Sequence, residues 1–348
     1  MDLKLKEWKE FVFEELFEIK STSSGIDRNK LVNRKGDIPY LTRSEKNNGY
    51  DSFICEQSEK YKTDNANVIT IGLDTQTVFY QSNKFYTGQN IQVLKCENLN
   101  KEIAQFLIPL IKRQMEKFSW GGNGATLTRL KRSKLLIPIA ENGEPDFEFM
   151  EAFIKHKEQE KFQDYNNYIS QRIADLKDFT TVEPIEDKEW GEFFIGDITD
   201  ILSGRDIYGS ERIKGSTPYI SATANNNGIG HFVGNENLTK ESGCLSVNRN
   251  GSVGYSFYHP YEALFGNDCR KLRPKNPSKH VGIFISQQIT RQRGKYGYGY
   301  KMGTARLKRQ KILLPTNDQN EPDYEYMENY MKQLEFQKLN EYMTKKGN

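Results

Sequence analysis

Twice along the chain, short apolar runs give way to apolar residues spaced by three and four. Val68–Ile71, Thr77–Tyr80 and Ile91–Leu94 are brief, rich in β-branched and aromatic residues, and bounded by turn residues. That pattern predicts strands, as it does at Leu245–Val247 and Val253–Tyr258. The spacing predicts helices at Ile103–Phe118 and Val281–Arg293. Each is followed by a Gly/aromatic loop, a basic Arg-Leu-Lys-Arg segment and an apolar strand ending at Pro138 or Pro315. After each Glu-Pro-Asp the period changes. Asp146 and Asp323 stand where helix N-caps belong. From Phe147 to about Asp178 there is neither Gly nor Pro, and Phe162, Tyr165, Ile169, Ile173 and Leu176 form one stripe. A helix of about 30 residues spans roughly 45 Å. Met327, Tyr330, Met331, Leu334 and Tyr342 repeat the pattern from Tyr324 onward. A long helix with a narrow apolar stripe needs a partner. The other helix, lying antiparallel, is the first choice; packing of each helix on its own domain is the alternative.

The matching places belong to an internal repeat. Glu7-Trp8-Lys9-Glu10-Phe11 recurs as Glu189-Trp190-Gly191-Glu192-Phe193, and Pro39-Tyr40-Leu41 as Pro218-Tyr219-Ile220. Asn47-Asn48-Gly49 recurs as Asn226-Asn227-Gly228. Arg129 to Glu151 aligns without a gap on Arg306 to Glu328, with 13 of 23 positions identical. The offset drifts only from 182 to 177 residues, so the whole half has been duplicated. Two copies this long are domains rather than stacking repeats. The predicted organisation is a globular domain over 1–146, a helix over 147–178, a linker over 179–188, a second globular domain over 189–323 and a second helix over 324–346. The fold class is mixed α/β.

Composition adds limits. The chain has 348 residues and a net charge of +3, so bulk charge does not point to nucleic acid, and any basic surface is local. Cys55, Cys96, Cys244 and Cys269 form no CxxC pair. The charged N-terminus does not resemble a signal peptide, and no apolar run is long enough to span a bilayer. A soluble, cytoplasmic protein with reduced thiols and no membrane partner is expected.

With repeat and helices in place, the chain resembles the specificity subunits of type I restriction-modification systems and their type IIB relatives. The resemblance is carried by Ile38 to Tyr50 and Thr217 to Gly228, by Val247 to Tyr258, and by the segments ending at Pro138 and Pro315. It covers nearly the whole length, in two copies. It implies two target-recognition domains, each reading one half of a split target in double-stranded DNA. It also implies an antiparallel coiled-coil spacer that sets the distance between the halves and docks modification (methyltransferase) subunits, with restriction subunits as further partners. No cofactor is expected in this chain; S-adenosylmethionine belongs to the partner methyltransferase.

Arg291 to Arg309 holds seven basic residues and no acidic one: Arg291, Arg293, Lys295, Lys301, Arg306, Lys308 and Arg309. Tyr296, Tyr298 and Tyr300 alternate with glycine there. Arg and Lys neutralise phosphates, and Arg also makes bidentate contacts to guanine. The first copy offers Trp120, Asn123, Arg129, Lys131 and Arg132. For the loop, the alternative is a solvated basic segment; for the Arg-Leu-Lys-Arg segments, it is scaffold. Asn47, Asn48, Asn225 and Asn226 are a second group, since Asn pairs with adenine, but Asn-Gly is also a common tight-turn dipeptide. Arg43, Lys46, Asn248, Arg249 and Asn250 lie in similar polar loops, where phosphates are the commoner partners.

Catalytic motifs are sparse. No Asn/Asp-Pro-Pro-Tyr motif and no Walker A loop occurs. Pro145-Asp146 and Pro322-Asp323 look like the start of a Mg²⁺-dependent nuclease motif, but the second carboxylate and the lysine are missing at useful spacing. His156, His231, His259 and His280 are scattered. A non-enzymatic DNA-specificity subunit is the expectation; a nuclease with Asp146 and Asp323 as metal ligands, or a scaffold binding only protein, are the alternatives.

Overall fold

The structure is a computed structural model and describes residues 2–32, 34–118, 124–297 and 299–346. It divides into two compact units, Met1–Tyr165 and Asn166–Asn348. The first runs through β1 (Trp8–Val12), a short helix α1 (Phe13–Leu16), β2 (Glu18–Ser21), β3 (Lys35–Leu41) and β4 (Tyr50–Ile54). It continues with β5 (Val68–Gly72), β6 (Val78–Gln81), β7 (Tyr86–Thr87), β8 (Ile91–Lys95), α2 (Lys101–Met115), α3 (Leu127–Lys131) and β9 (Lys134–Pro138), then α4 (Phe147–Asp175). The strands form an antiparallel sheet ordered β2-β8-β5-β6, a three-stranded sheet β4-β3-β7, and the pair β1-β9. In that last pair, Trp8 lies opposite Pro138.

The centre of the first core is β5, all of whose residues are buried. Such a strand carries no polar alternation, which is why Val68–Ile71 stands out in the sequence as a plain apolar run. Helix α2 covers the sheet with Ile103, Phe106, Leu107, Ile111 and Met115. Asn100 caps it, accepting the Ile103 N–H at 2.8 Å. The opening of α4 joins the same core: Met150 is buried, and Phe153 meets Phe106 edge-on at 5.7 Å.

The second unit repeats the plan. Its elements are β10 (Trp190–Phe194), α5 (Ile195–Ile198), β11 (Thr199–Ser203), β12 (Lys214–Ile220), β13 (Ile229–Val233), β14 (Cys244–Asn248) and β15 (Ser256–His259). Then come β16 (Leu264–Phe265), β17 (Cys269–Pro274), α6 (Lys279–Arg291), α7 (Thr304–Arg309), β18 (Lys311–Pro315) and α8 (Tyr324–Lys346). Its sheets are β11-β17-β14-β15, β13-β12-β16 and β10-β18. The match extends to single contacts. Trp8 stacks on Phe106 at 6.3 Å and Trp190 on Phe284 at 6.1 Å. Lys6 pairs with Asp146 at 2.5 Å, and Lys188 with Asp323 at 2.9 Å.

Two elements go beyond the sequence reading, and one boundary shifts. The Arg-Leu-Lys-Arg segments are helical, in α3 and α7, because Leu130 and Leu307 are buried and anchor each short helix. Residues around Pro39 and Pro218 form central strands, which their Gly and Pro content hides. Helix α4 ends at Asp175 rather than Asp178, and its stripe is not uniformly buried. Ile169 and Leu176 are 2 % exposed, whereas Phe162 is 51 % and Tyr165 46 % exposed. Within the second unit, the end of α4 and the segment after it run antiparallel to α8. Arg172 Nε donates to Glu335 at 3.0 Å, Phe179 meets Phe336 edge-on, the Val182 N–H donates to Gln333, and the Glu183 carbonyl accepts from Tyr326. Helix α8 also packs on α6, where His280 meets Glu335 at 2.9 Å. Among the described residues no helix is long and apolar enough to cross a membrane.

Asp323 both caps α8, accepting the Tyr326 N–H at 2.9 Å, and holds Lys188. Asp323→Ala is expected to destabilise the protein by about 1–2 kcal/mol. Urea unfolding checks this; an unchanged midpoint would mean that the cap carries no energy.

Candidate DNA interface

In the second unit, four segments distant in sequence converge at one end of the β14–β17 pair: residues 221–228, 249–255, 266–268, and 292–297 with 299–304. Asn248 Nδ2 donates to the Thr223 carbonyl at 2.9 Å, and the Ser252 N–H to Ala222 at 3.3 Å. The Arg249 N–H donates to the Asp268 carbonyl at 2.8 Å, and Arg270 Nε to Thr304 Oγ1 at 2.7 Å. Gly254 has φ +83°, and a Cβ there would lie 2.8 Å from the Arg293 Cβ. Only glycine suits that position, and it lets Arg293 lie over the Tyr255 ring at 4.9 Å. The first unit gathers equivalent segments. The Leu73 N–H donates to the Asn90 carbonyl at 2.9 Å and the Ala125 N–H to Leu73 at 3.3 Å, while Arg43 forms an ion pair with Asp74.

Most of the basic candidates lie on the surface. Arg291, Arg293, Lys295, Lys301, Arg306, Lys308 and Arg309 are exposed, as are Lys46, Arg129 and Arg132; Lys131 is half-buried. Arg129 Nη1 donates to the Gly124 carbonyl at 3.1 Å and Arg306 Nη1 to Lys301 at 2.9 Å. These two arginines therefore do the same work in both copies: each holds the loop before its short helix, which is a scaffold role. Arg306 also lies 4.0 Å from the Tyr300 ring centroid, and Tyr300 stacks on Tyr296 at 5.6 Å. Tyr296 is half-buried, its hydroxyl tied to Gln310 at 2.5 Å. Trp120, Asn123 and Tyr298 lie outside the described residues.

The asparagines divide. Asn47, Asn48, Asn226 and Asn227 all have positive φ, so turn geometry accounts for them directly. Asn48 and Asn227 further donate their side-chain amides to the Tyr80 and Tyr258 carbonyls. Asn47, Asn225 and Asn226 keep exposed side chains. Asn248 is a correction: it is fully buried, with its amide spent on Thr223 and its oxygen facing Cys269 Sγ, so it braces the surface from below. Asn250 donates to Asp268.

Sequence reasoning missed the acids at these places, Asp74 and Asp268, together with Asn90 and the buried Arg270. A search for phosphate contacts weighs basic and amide residues, and nothing in the sequence marks an aspartate whose task is to hold an arginine.

Elsewhere, polar groups are committed to structure. Asp146 and Asp323 are taken up by helix capping and by Lys6 and Lys188, the physical reason they do not act as metal ligands. Ser246 and His259 meet at 2.9 Å but are both 0 % exposed, and burial pushes the imidazole down to about 4. That pair is a sealed neutral contact, without the access a nucleophile needs. Lys271 and Arg273 hold Glu241, with the Arg273 contact leading in lowering its carboxyl to about 2. Burial raises the Cys244 and Cys269 thiols to about 12, which keeps them inert.

The sequence pattern of the type I restriction modification DNA specificity domain matches residues 5–166 and again 187–342. The chain belongs to that family of DNA specificity subunits. It is 34 % identical over 334 residues to the type II restriction enzyme BgcI specificity subunit S.BcgI of Heyndrickxia coagulans, an alignment covering 95 % of each chain. Its fold is similar to that of the S subunit of the type I restriction-modification system from M. genitalium. The TM-score is 0.57 at 16 % identity, over 99 % of this chain and 94 % of that one. This specificity subunit is non-catalytic, and its two family domains coincide with the two copies of the repeat. The duplicated α/β architecture expected from sequence is the family's own.

Proposed function

We propose that this specificity subunit reads a bipartite target in double-stranded DNA, one half with residues 1–146 and the other with residues 189–323, and carries methyltransferase subunits to it. Restriction subunits are further partners of the same assembly. S-adenosylmethionine is held by the methyltransferase partner, and the complex works in the cytoplasm, where the DNA is. The observation that supports this most is a shared frame with different fittings. The same sheet end is built twice, but the position of Arg43 in the first copy is held by Ala222 in the second, and that of Leu73 by Arg249. Two different half-sites need that arrangement.

The exposed cations Lys46, Arg132, Arg291, Arg293, Lys295 and Lys301 supply phosphate contacts, which position the duplex without reading it. Lys308 is a weaker candidate, because its stem lies against Gly196 of α5. Helices α4 and α8, with the segment 179–188 that leads from the first copy into the second, are the parts left for partner subunits and for the spacer.

Mapping methylated sites in host DNA with the gene intact and deleted tests the proposal. The expected result is a two-part motif present only with the gene. Methylation that persists unchanged without the gene would overturn it, as would a motif without two parts.

A further inference from the structure

Each domain places a carboxylate on the surface that meets DNA, where a phosphate contact would be repelled. Asp74 pairs with Arg43 and accepts from Asn90 Nδ2 at 3.4 Å. Asp268 accepts from Asn250 Nδ2 and pairs with Arg249 at 3.6 Å. The strand registers make the two sites equivalent. Gly72 lies opposite Ile91 at the end of β5–β8, and Asn248 lies opposite Cys269 at the end of β14–β17. Asp74 therefore stands where Asn250 stands, and Asn90 where Asp268 stands. An Asp–Asn hydrogen bond bridges the same two loops in both domains, with the partners exchanged. The arginine arrives from different loops: Arg43 follows β3, whereas Arg249 sits on the hairpin after β14.

We propose that each domain reads a guanine in its half-site through this aspartate-held arginine, Arg43 in the first and Arg249 in the second. The inference rests on the DNA-reading role argued above. A guanidinium has five N–H donors in a rigid fork. The carboxylate holds one terminal nitrogen of the guanidinium, and the remaining N–H donors match the O6 and N7 acceptors of guanine. The aspartate makes the same pocket unfavourable for a phosphate, which leaves a neutral base edge as the better partner. The second site is also incomplete by itself: Arg249 Nε and Asn250 Oδ1 are buried without a hydrogen-bond partner among the described residues. Buried polar groups are rarely left so, and two neighbours in one loop mark hydrogen bonding that the loop does not complete by itself.

The test uses the full chain with its partner subunits and maps methylated sites. Arg43→Ala and Arg43→Lys are expected to relax one guanine position in one half-site by about ten- to a hundredfold, with the other half unchanged. The lysine variant keeps charge and length but loses the fork, so it decides the matter if the alanine variant does not fold. Arg249→Lys is expected to relax the opposite half. Asp74 is a positioning residue: Asp74→Asn is expected to relax the same position less, and to add nothing in combination with Arg43→Ala. If both Arg43 variants keep full stringency at every position while DNA retention only becomes less salt-dependent, Arg43 contacts a phosphate and the proposal is wrong. An exchange of residues 1–146 separates the two levels. If the exchange redirects the target and the Arg43 variants do not, only this inference fails; if the exchange leaves the target unaltered, the DNA-reading role fails with it.

Discussion

Replacing residues 1–146 by the corresponding domain of another specificity subunit is expected to change one half of the methylated target and leave the other half intact. The core of the first copy is closed within its own unit. It runs from Phe11 and Phe13 through Ile69, Leu94 and Leu107 to Leu135 and Met150. The Lys6–Asp146 pair moves with the exchange, and the incoming core must accept Met150 and Phe153 from the retained opening of α4. Each wrong base pair costs a DNA reader about 1–3 kcal/mol, roughly additively. A half-site of three or more read positions thus changes preference by about a thousandfold or more. Methylation mapping of the exchanged complex reads the outcome, and a target identical to the parent's would rule out modular reading.

The second large effect concerns acid. His259 and Gln81 occupy the same place: His259 lies opposite Cys244 at the end of β14–β15, and Gln81 lies opposite Val68 at the end of β5–β6. Gln81 donates to Thr70 Oγ1 at 3.1 Å, and His259 meets Ser246 Oγ at 2.9 Å. One copy fills the site with a group that does not titrate, the other with one that does. Burial moves the imidazole from its ordinary 6.5 down to about 4. Between those values the unfolded chain binds a proton that the folded chain refuses. The stabilisation is therefore complete above pH 6.5 and is lost as pH falls through that window to about 4, by roughly 3 kcal/mol. His259→Gln is expected to flatten the pH dependence of stability over that range, because it installs the chemistry of the first copy. Denaturant unfolding between pH 7 and pH 4 measures it; a slope that survives the substitution would place the titration elsewhere.

Much of this was legible in the sequence because the chain states its plan twice. The apolar runs of β5, β8 and β14 are buried on both faces, so they read directly as strands. The caps Asp146 and Asp323 and the helices behind them follow from spacing alone. What escaped is local or convergent. Strands β3 and β12 carry Gly and Pro beside Tyr40 and Tyr219, and they become central through antiparallel pairing with β4 and β13 on one side and short parallel pairing with β7 and β16 on the other. Asn248 looked like a reader because polar residues in turns are usually exposed; here the sheet closes over it. The Asp74–Arg43 and Asp268–Arg249 pairs join loops that only the folded registers bring together.

The pairing of β1 with β9, and of β10 with β18, has a consequence for synthesis. The opening strand of each copy waits for a partner that leaves the ribosome last, with the whole domain between them. Until Lys134–Pro138 arrives, Trp8–Val12 keeps an unsatisfied edge, a ready template for wrong pairing. A nascent chain arrested just short of that closing strand is thus the species most prone to aggregate, and the doubled gene meets that hazard once per copy.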